Sequence, residues 1–224
     1  KKIKKDINLV IYDKLFGWKK RGKTKKICFN HGSYSIAGEI FKRKNLFVYG
    51  FYKVILKYFE KKSYKNSDYI IAVSNYLKRE MVEKFKIDKD KIFVVENGID
   101  KKIFKAHNKE LMREKIKIPK EKKVIFFPSR ASYGKGFDKV KKIMSKLGDE
   151  YLLICIGKIK IRKKNLLFVD KIKYEDMSKF YSLSDLVLFP SRYEGFGMVP
   201  IEAGFCKVPT LASKVGVLYD KRSK

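Results

Sequence analysis

The sequence predicts an α/β protein with two lobes, each built around a parallel sheet. Short apolar runs of strand length alternate along the chain with longer segments of helical spacing. Strands joined by helices of this length form parallel sheets with crossover helices. Two such series flank a polar segment that contains a proline, at residues 119–123. We therefore predict a first lobe over residues 1–118 and a second lobe over residues 119–224.

The first lobe is predicted to contain four strands and three helices. The clearest strand, Asp68–Val73, is followed by Ser74, a residue type that favours a helix N-terminus. The last strand runs into a turn at Glu96–Asp100. The predicted strands are Ile7–Tyr12, Lys26–Asn30, Asp68–Val73 and Ile92–Val95, and the predicted helices are Leu46–Glu60, Asn75–Phe85 and Leu111–Ile116.

The second lobe is predicted to contain five strands, two of which are followed by glycine-containing turns. The strands are Val124–Phe127, Tyr151–Ile156, Leu166–Val169, Asp185–Phe189 and Thr210–Ala212, and the helices are Phe137–Leu147, Tyr174–Leu183 and Val199–Phe205. The chain starts directly before one predicted strand and stops shortly after another. We therefore expect both lobes to be truncated.

The strongest feature of the composition is an excess of positive charge. Among the 224 residues, 55 are Lys or Arg and 24 are Asp or Glu, for a net charge of +31. Nucleic-acid binding and attraction to an anionic membrane face are two interpretations of this excess. A solvated surface encoded by a lysine-biased genome is the third, and the dispersal of the lysines favours it. The hydrophobic fraction of 45% excludes a disordered chain.

Cysteine and histidine usage argues against a metal centre and a disulfide framework. Cys28, Cys155 and Cys206 are far apart, and the two histidines are isolated. A reducing, cytoplasmic compartment is the simplest expectation. The sequence contains no apolar run of about 18 residues and no signal-peptide pattern at its basic start. Peripheral contact with the inner face of an anionic membrane stays open.

Two glutamates eight positions apart form the most informative motif. Glu194 and Glu202 flank two glycines and a proline that favours a helix start. The apolar run before them predicts the order strand, glycine-rich turn, helix, which brings backbone N–H groups to the carboxyl end of a strand. Anions bind at such turns, whereas a pair of carboxylates suits hydroxyl groups. Sugar and ribose hydroxyls are therefore the predicted ligands of the two glutamates.

A second turn follows the first strand of the second lobe. Arg130 and Lys135 lie five positions apart in it, and Gly134 and Gly136 flank the lysine. The planar fork of arginine, the point charge of lysine and the following helix N-terminus suit a diphosphate. In a parallel sheet this turn opens on the same edge as the turn of Glu194, so we expect the four charged groups to meet in one cleft. An ordinary turn with solvated cations is the alternative.

These segments resemble one family, the retaining, metal-independent glycosyltransferases of family four, also called group-one glycosyltransferases, which have the GT-B fold. Their Glu-x7-Glu motif matches Pro190–Ala203, and their Arg-x4-Lys-Gly turn matches Arg130–Gly136. Two further landmarks match in order, Ala72–Ser74 before a helix and Val95–Asp100 after a strand. The resemblance covers about residues 68–216. It implies two Rossmann-like lobes, the first on the acceptor side and the second binding a nucleotide-sugar donor.

The resemblance also implies a role for each motif. Glu194 would hold donor-sugar hydroxyls near the anomeric carbon, and Glu202 would hold the ribose hydroxyls. Arg130 and Lys135 would neutralise the departing diphosphate, as a divalent ion does in other transferases. The implied reaction transfers a hexose from a nucleotide diphosphate sugar to a glycan, lipid or other acceptor. It retains the anomeric configuration and needs no metal cofactor.

Backbone groups of the turns complete the implied donor site. The N–H groups of Gly195, Phe196 and Gly197 would meet the sugar and the phosphate. Gly136 belongs to the diphosphate turn, and Gly98 is expected to approach the donor.

His31 and Lys207 are the two positions where the resemblance is least decisive. His31 follows a strand end, where family members often carry a histidine that contacts the acceptor or the donor sugar. A loop histidine without a role is an equal alternative. Lys207 stands where the family commonly has a glycine, just after the helix of Glu202, and this departure changes how that helix ends.

Two other classes of function stay open from the sequence. A basic nucleic-acid-binding module would show clustered arginines with exposed aromatic residues, whereas here lysine dominates and is dispersed. The second alternative is a non-catalytic α/β protein used for scaffolding.

Overall fold

The computed structural model describes residues 9–13, 15, 17, 24–39, 42, 45–157 and 165–220. Contacts between residues divide the chain into two compact units. The first comprises the described residues up to Asn97, the segment Tyr193–Phe196 and the residues from Val215 onward. The second comprises Gly98–Arg192 and Gly197–Lys214.

The first unit is built on a sheet of four parallel strands in the order β1-β2-β3-β4. This confirms the predicted parallel sheet. The strands are β1 (Leu9–Asp13), β2 (Lys25–Asn30), β3 (Tyr69–Ala72) and β4 (Ile92–Val94), and the helices are α1 (Tyr34–Gly38), α2 (Leu46–Phe51), α3 (Lys57–Lys65), α4 (Asn75–Phe85) and α9 (Val217–Asp220).

Several elements of the first unit differ in extent from their predictions. The predicted strand Ile7–Tyr12 starts in the structure at Leu9, and Ile7 lies outside the described residues, as do the basic start and residues 221–224. The predicted helix Leu46–Glu60 continues to residue 65, because α2 and α3 join through a π-helical turn at Tyr52–Leu56. Helix α1 was not predicted from the sequence.

The second unit is built on five parallel strands in the order β7-β6-β5-β8-β9. The chain moves outward from β5 to β7 on one side and then from β8 to β9 on the other. Ligands of open α/β sheets bind at such a switch point, outside the carboxyl ends of the strands. The elements are α5 (Lys109–Lys115), β5 (Lys123–Arg130), α6 (Phe137–Met144), β6 (Tyr151–Ile156), β7 (Leu166–Val169), α7 (Met177–Ser182), β8 (Leu186–Phe189), α8 (Met198–Phe205) and β9 (Thr210–Ala212).

Both faces of the second sheet are covered by apolar side chains. Phe126 of β5 packs in a cluster with Tyr181 of α7 on one face of the sheet. The next residue, Phe127, packs in a separate cluster with Val140 on the other face. A sheet buried on both sides is typical of parallel α/β architecture.

The division into units differs from the boundary predicted at residues 118 and 119. Phe104, Met112 and Ile118 are buried in the core of the second unit. Arg113 donates hydrogen bonds of 2.8 Å to the carbonyl of Leu183 and 2.6 Å to Asp185. The segment before the predicted linker therefore packs with the second sheet. Among the helices of the described residues, none has the length and apolar character needed to cross a bilayer.

Candidate functional site

The turn after β5 is shaped by a glycine that no other residue could replace without rearrangement. Strand β5 ends at Arg130, and α6 begins directly after Gly136. Gly136 has φ +77°, and a Cβ atom there would lie 2.2 Å from the carbonyl oxygen of Pro190. Its backbone therefore passes close to the end of β8. Arg130 is exposed and Lys135 is partly exposed in this turn. Their role as a diphosphate cradle stays a prediction.

Arg192 braces this turn from the segment that follows β8. Its guanidinium donates two hydrogen bonds of 2.8 Å to the two carboxylate oxygens of Asp138 and stacks 3.7 Å above the ring of Tyr133. Its backbone N–H donates to the carbonyl of Gly134 over 2.9 Å. The bonds to Asp138 raise the pKa of Arg192. A bidentate pair combined with ring stacking holds the two neighbouring turns in a defined geometry.

The contact between Arg192 and Asp138 was not predicted from the sequence. Arg192 lies in the Glu-x7-Glu segment and Asp138 lies in the first turn of a predicted helix, so the local sequence assigned each residue to a motif or an element. Their pairing joins residues that are 54 positions apart, and a single sequence does not show such contacts.

The second turn at the switch point opens helix α8. Its N-cap residue, Gly197, has φ +91°, a conformation that favours glycine. The N–H groups of the first helical turn lie at the carboxyl end of β8, and such groups favour anions. Strands β5 and β8 are hydrogen-bonded neighbours. The switch point of the second sheet therefore carries two strand-to-helix turns side by side.

Glu202 lies on α8 and is fixed by a tyrosine from α7. The hydroxyl of Tyr181 donates a hydrogen bond of 2.6 Å to Oε2 of Glu202. Burial raises the pKa of the Glu202 carboxyl, and the bond from Tyr181 opposes this effect in part. A half-buried carboxylate with a fixed orientation is suited to accept hydrogen bonds from a vicinal pair of hydroxyls. The sequence predicted that Tyr181 lies in a helix, but it did not predict the hydrogen bond from Tyr181 to Glu202.

In the first unit, the turn after β2 carries His31 and is held by buried polar groups. Gly32 donates its N–H to Oδ1 of Asn30 over 3.0 Å. Glu60 is fully buried on α3, and its carboxylate accepts hydrogen bonds of 2.6–3.1 Å from the backbone or side chains of three residues at the start of α1. These residues are Ser33, Tyr34 and Ser35. His31 itself is exposed, with its ring 4.7 Å from that of Phe29.

The segment that carries Glu194 packs against this turn. The hydroxyl of Tyr193 accepts a hydrogen bond of 2.8 Å from the N–H of Ser33 and donates one of 3.2 Å to Glu80. A Cβ atom on Gly195 would lie 1.8 Å from the carbonyl oxygen of His31. The first unit therefore brings the backbone of His31 and the segment Tyr193–Phe196 into direct contact.

Two further hydrogen bonds hold the backbone on the C-terminal side of Glu194. The hydroxyl of Ser74 donates to the carbonyl of Gly195 over 2.6 Å, and the N–H of Val217 donates to the carbonyl of Phe196 over 2.7 Å. The sequence predicted Ser74 only as a helix cap. Its second role joins residues 121 positions apart.

The predicted site residues divide between the two units. His31, Glu194, Gly195 and Phe196 belong to the first, while Gly98, Arg130, Lys135, Gly136, Gly197 and Glu202 belong to the second. Gly98 is exposed, and a Cβ atom there would meet no heavy atom of the described chain within 4 Å. Its approach to a donor stays a prediction.

One string in the sequence matches a nucleotide-binding pattern but lacks the required structural context. Residues 17–24 read G-x-x-x-x-G-K-T. A P-loop of this pattern lies between a strand and a following helix. Here strand β2 starts at Lys25, directly after the string. The string therefore does not indicate a P-loop.

Comparison with known proteins identifies the family. The model described as "Glycosyl transferases group 1" matches residues 108–220, and the model described as "Glycosyltransferase Family 4" matches residues 7–102. An uncharacterized glycosyltransferase of Methanocaldococcus jannaschii is 30% identical over 170 residues, which are 67% of this chain and 43% of that protein. The chain thus spans less than half the length of this curated relative.

Solved structures share the fold at lower identity. Sucrose-phosphate synthase from Thermosynechococcus elongatus superposes with a TM-score of 0.77 at 19% identity, covering 94% of this chain and 57% of that one. The Anabaena protein HepE, solved in complex with UDP-glucose, gives a TM-score of 0.67 at 19% identity, covering 88% of this chain and 56% of that one. The parallel sheets and the turns at the switch point are consistent with the match to the family models. The chain belongs to the group 1 glycosyltransferases of family four, with the GT-B fold.

Proposed function

We propose that this chain binds a nucleotide diphosphate sugar and belongs to an enzyme that transfers the hexose to an acceptor with retention of anomeric configuration. The observation that carries the proposal is the pair of glycine-containing turns after the neighbouring strands β5 and β8, at the switch point of the second sheet. A basic turn and a helix N-terminus at this position suit the diphosphate. The Anabaena protein of the same fold was solved with UDP-glucose, which supports a donor of this class.

Arg130 and Lys135 supply the positive charge for the leaving group. When the bond between the sugar and the diphosphate breaks, negative charge grows on the diphosphate oxygens. Cations that are already in position stabilise this charge in the transition state more than in the ground state. The N-terminus of α6, directly after Gly136, adds a favourable dipole. We propose that these groups take the place of a divalent metal ion, so that no metal cofactor is needed.

Glu202 is proposed to bind the ribose of the donor. Tyr181 fixes one carboxylate oxygen, and that geometry orients the group. Two vicinal hydroxyls can donate to one carboxylate, whereas a deoxyribose or an isolated hydroxyl makes fewer bonds. This assignment makes the ribose a point of specificity.

Glu194 and His31 are proposed to act on the sugar that is transferred. The backbone on both sides of Glu194 is anchored in the first unit, at Tyr193 and at Gly195. Such anchoring fixes the backbone from which the Glu194 side chain projects, and this limits where the carboxylate can hold a hydroxyl. The backbone N–H groups of Gly195, Phe196 and Gly197 are proposed donors to sugar and phosphate oxygens.

The acceptor is proposed to be a sugar, polysaccharide or lipid-linked saccharide, and the enzyme is proposed to work in the cytoplasm. The cysteines at positions 28, 155 and 206 are buried thiols, which is compatible with a reducing compartment.

Transfer can be tested with the protein that contains this chain and a panel of nucleotide diphosphate sugars, in the presence of EDTA. We expect transfer to persist in EDTA, and nuclear magnetic resonance of the product to show the anomeric configuration of the donor. Glu194→Ala should abolish transfer while circular dichroism shows an intact fold. Loss of transfer in EDTA, an inverted product, or unchanged turnover of Glu194→Ala would each contradict the corresponding part of the proposal.

A further inference from the structure

The continuous helix over residues 46–65 carries large apolar side chains on its solvent side. Phe47 is 85% exposed, Val54 66% and Tyr58 58%. Phe51 and Ile55 are also exposed. The spacing of four, seven, eight and eleven residues from Phe47 places all five along one side of the helix. We call this set the apolar ridge. Soluble proteins rarely expose so many large apolar groups together without a binding role.

The core side of the same helix is formed by different residues. Glu60, Ser63 and Tyr64 are buried, and Glu60 holds the start of α1 through its four hydrogen bonds. The apolar ridge therefore does not contribute the contacts that anchor the helix to its sheet.

Lysines border the apolar ridge. The helix contains lysines at 53, 57, 61, 62 and 65 and one carboxylate, that of the buried Glu60. Lys62 lies with its ammonium 5.5 Å from the ring centre of Tyr58, and Lys53 lies 5.2 Å from that of Tyr49. Long lysine stems cover apolar surface in this way while the charged ends stay in water.

A basic cavity adjoins the helix on its flank. The cavity has a volume of about 410 Å³, and Lys53, Lys57 and Lys84 line it together with Glu39. It has room for a phosphate-bearing head group. An apolar ridge, flanking lysines and a basic cavity thus occur on one element.

We propose that this helix docks on an anionic phospholipid surface, with the apolar ridge in the boundary between head groups and acyl chains and the lysines against the phosphates. Helices with this distribution of apolar and basic residues lie in the plane of a membrane interface. The positive charge of the helix favours an anionic phospholipid surface over a second copy of the chain. Two copies of the helix would oppose ten ammonium groups, twice the five of one helix, and like charges disfavour that pairing. A nucleic acid would match the lysines but leave the apolar ridge in water.

Vesicle binding can be measured without a donor, so the result of this test is independent of the proposed function. The test is co-sedimentation of the chain with vesicles of equal parts phosphatidylglycerol and phosphatidylcholine, or of phosphatidylcholine alone. A net charge of +31 gives general attraction to anionic vesicles, so binding is measured at low and at high salt, where attraction between exposed charges is screened.

The decisive variant combines Phe47→Ser with Val54→Ser. The matched control is Leu211→Ser, which replaces an apolar side chain on β9 that is 59% exposed. We expect wild type and control to bind anionic vesicles at both salt concentrations. The double variant should lose about tenfold or more of its partitioning at high salt, with an unchanged circular dichroism spectrum and melting temperature. Lys61→Gln with Lys62→Gln should weaken binding mainly at low salt.

The proposal would be overturned if wild type bound phosphatidylcholine vesicles as well as it binds anionic vesicles. It would also be overturned if the double variant bound like the control at high salt, or if wild type stayed in the supernatant. Dimers that dissociate in the double variant, without vesicle binding, would identify a second copy of the chain as the occupant instead.

Discussion

The hydroxyl of Ser74 donates a 2.6 Å hydrogen bond to the carbonyl oxygen of Gly195, the residue next to Glu194. The hydroxyl oxygen of Ser74 also accepts a hydrogen bond from the N–H of Leu77 and thereby caps α4. One side chain thus fixes both a helix start and the backbone beside a proposed catalytic carboxylate. The N-cap of α4 is therefore a structural support of the Glu194 segment.

Removal of this hydroxyl should loosen the Glu194 segment. Ser74→Ala deletes a helix cap and leaves a buried carbonyl without its donor, so we expect a loss of about 2 kcal/mol in the free energy of unfolding. Hydrogen exchange measured by mass spectrometry should become faster over residues 193–196. Asn108→Ala is the matched control, because Asn108 caps α5 in the same way without contacting Gly195. Equal exchange over residues 193–196 in both variants would contradict the supporting role.

The glycine at position 195 should tolerate no side chain. In Gly195→Ala the new Cβ atom would lie 1.8 Å from the carbonyl oxygen of His31, a backbone atom that cannot move aside cheaply. We expect a loss of about 3 kcal/mol or more in the free energy of unfolding, measured by chemical denaturation.

Gly204→Ala provides the matched control for that substitution. Gly204 lies near the end of α8, and a Cβ atom there would meet no heavy atom of the described residues within 4 Å. Because alanine favours helix over glycine, this variant should gain about 0.5–1 kcal/mol. Similar stabilities for the two variants would show that the close approach to His31 is not rigid.

Glu202→Gln should stabilise the protein at neutral and alkaline pH. Burial raises the pKa of Glu202 in the folded state, so the ionised carboxylate opposes folding above that pKa. A neutral amide removes this penalty and still accepts the bond from Tyr181. The gain, followed by denaturation at several pH values, should disappear below about pH 4, where the carboxyl is protonated in both states. Glu114→Gln, at an exposed position of α5, is the control. A gain that is independent of pH would contradict the assignment to ionisation.

Lys207→Gly should also stabilise the fold. Lys207 follows α8 with φ +59°, in the left-handed region that glycine adopts without strain. We expect a gain of about 0.5–1 kcal/mol in the free energy of unfolding, measured by denaturation. An unchanged or lowered stability would indicate that the lysine side chain contributes a compensating contact.

The parts that the sequence predicted are those that depend on neighbouring residues. The apolar run before Arg130 and the glycines after it predicted β5 and its turn, and the alternation of strands and helices predicted the parallel sheets. The structure confirms both. The motif around Glu194 predicted the start of α8, one residue from where it lies.

The parts that the sequence missed depend on contacts between distant residues. Tyr193 meets Ser33 across 160 positions, and Glu60 reaches the start of α1 across about 26. The predicted boundary at residues 118 and 119 differs from the observed division for the same reason. Phe104 and Met112 are buried in the core of the second unit although a polar segment follows them. Local patterns do not contain that information.

The proposed diphosphate site of Arg130 and Lys135 can be tested by calorimetric titration with UDP, GDP and ADP and their hexose derivatives. We expect at least one of these ligands to bind wild type and Lys142→Ala, a control on the exposed side of α6, with equal affinity. Lys135→Ala should bind it at least about tenfold more weakly, since a charge-assisted contact contributes about 1.5–3 kcal/mol. Equal affinity of wild type and Lys135→Ala, or no binding of any nucleotide diphosphate to wild type, would contradict it.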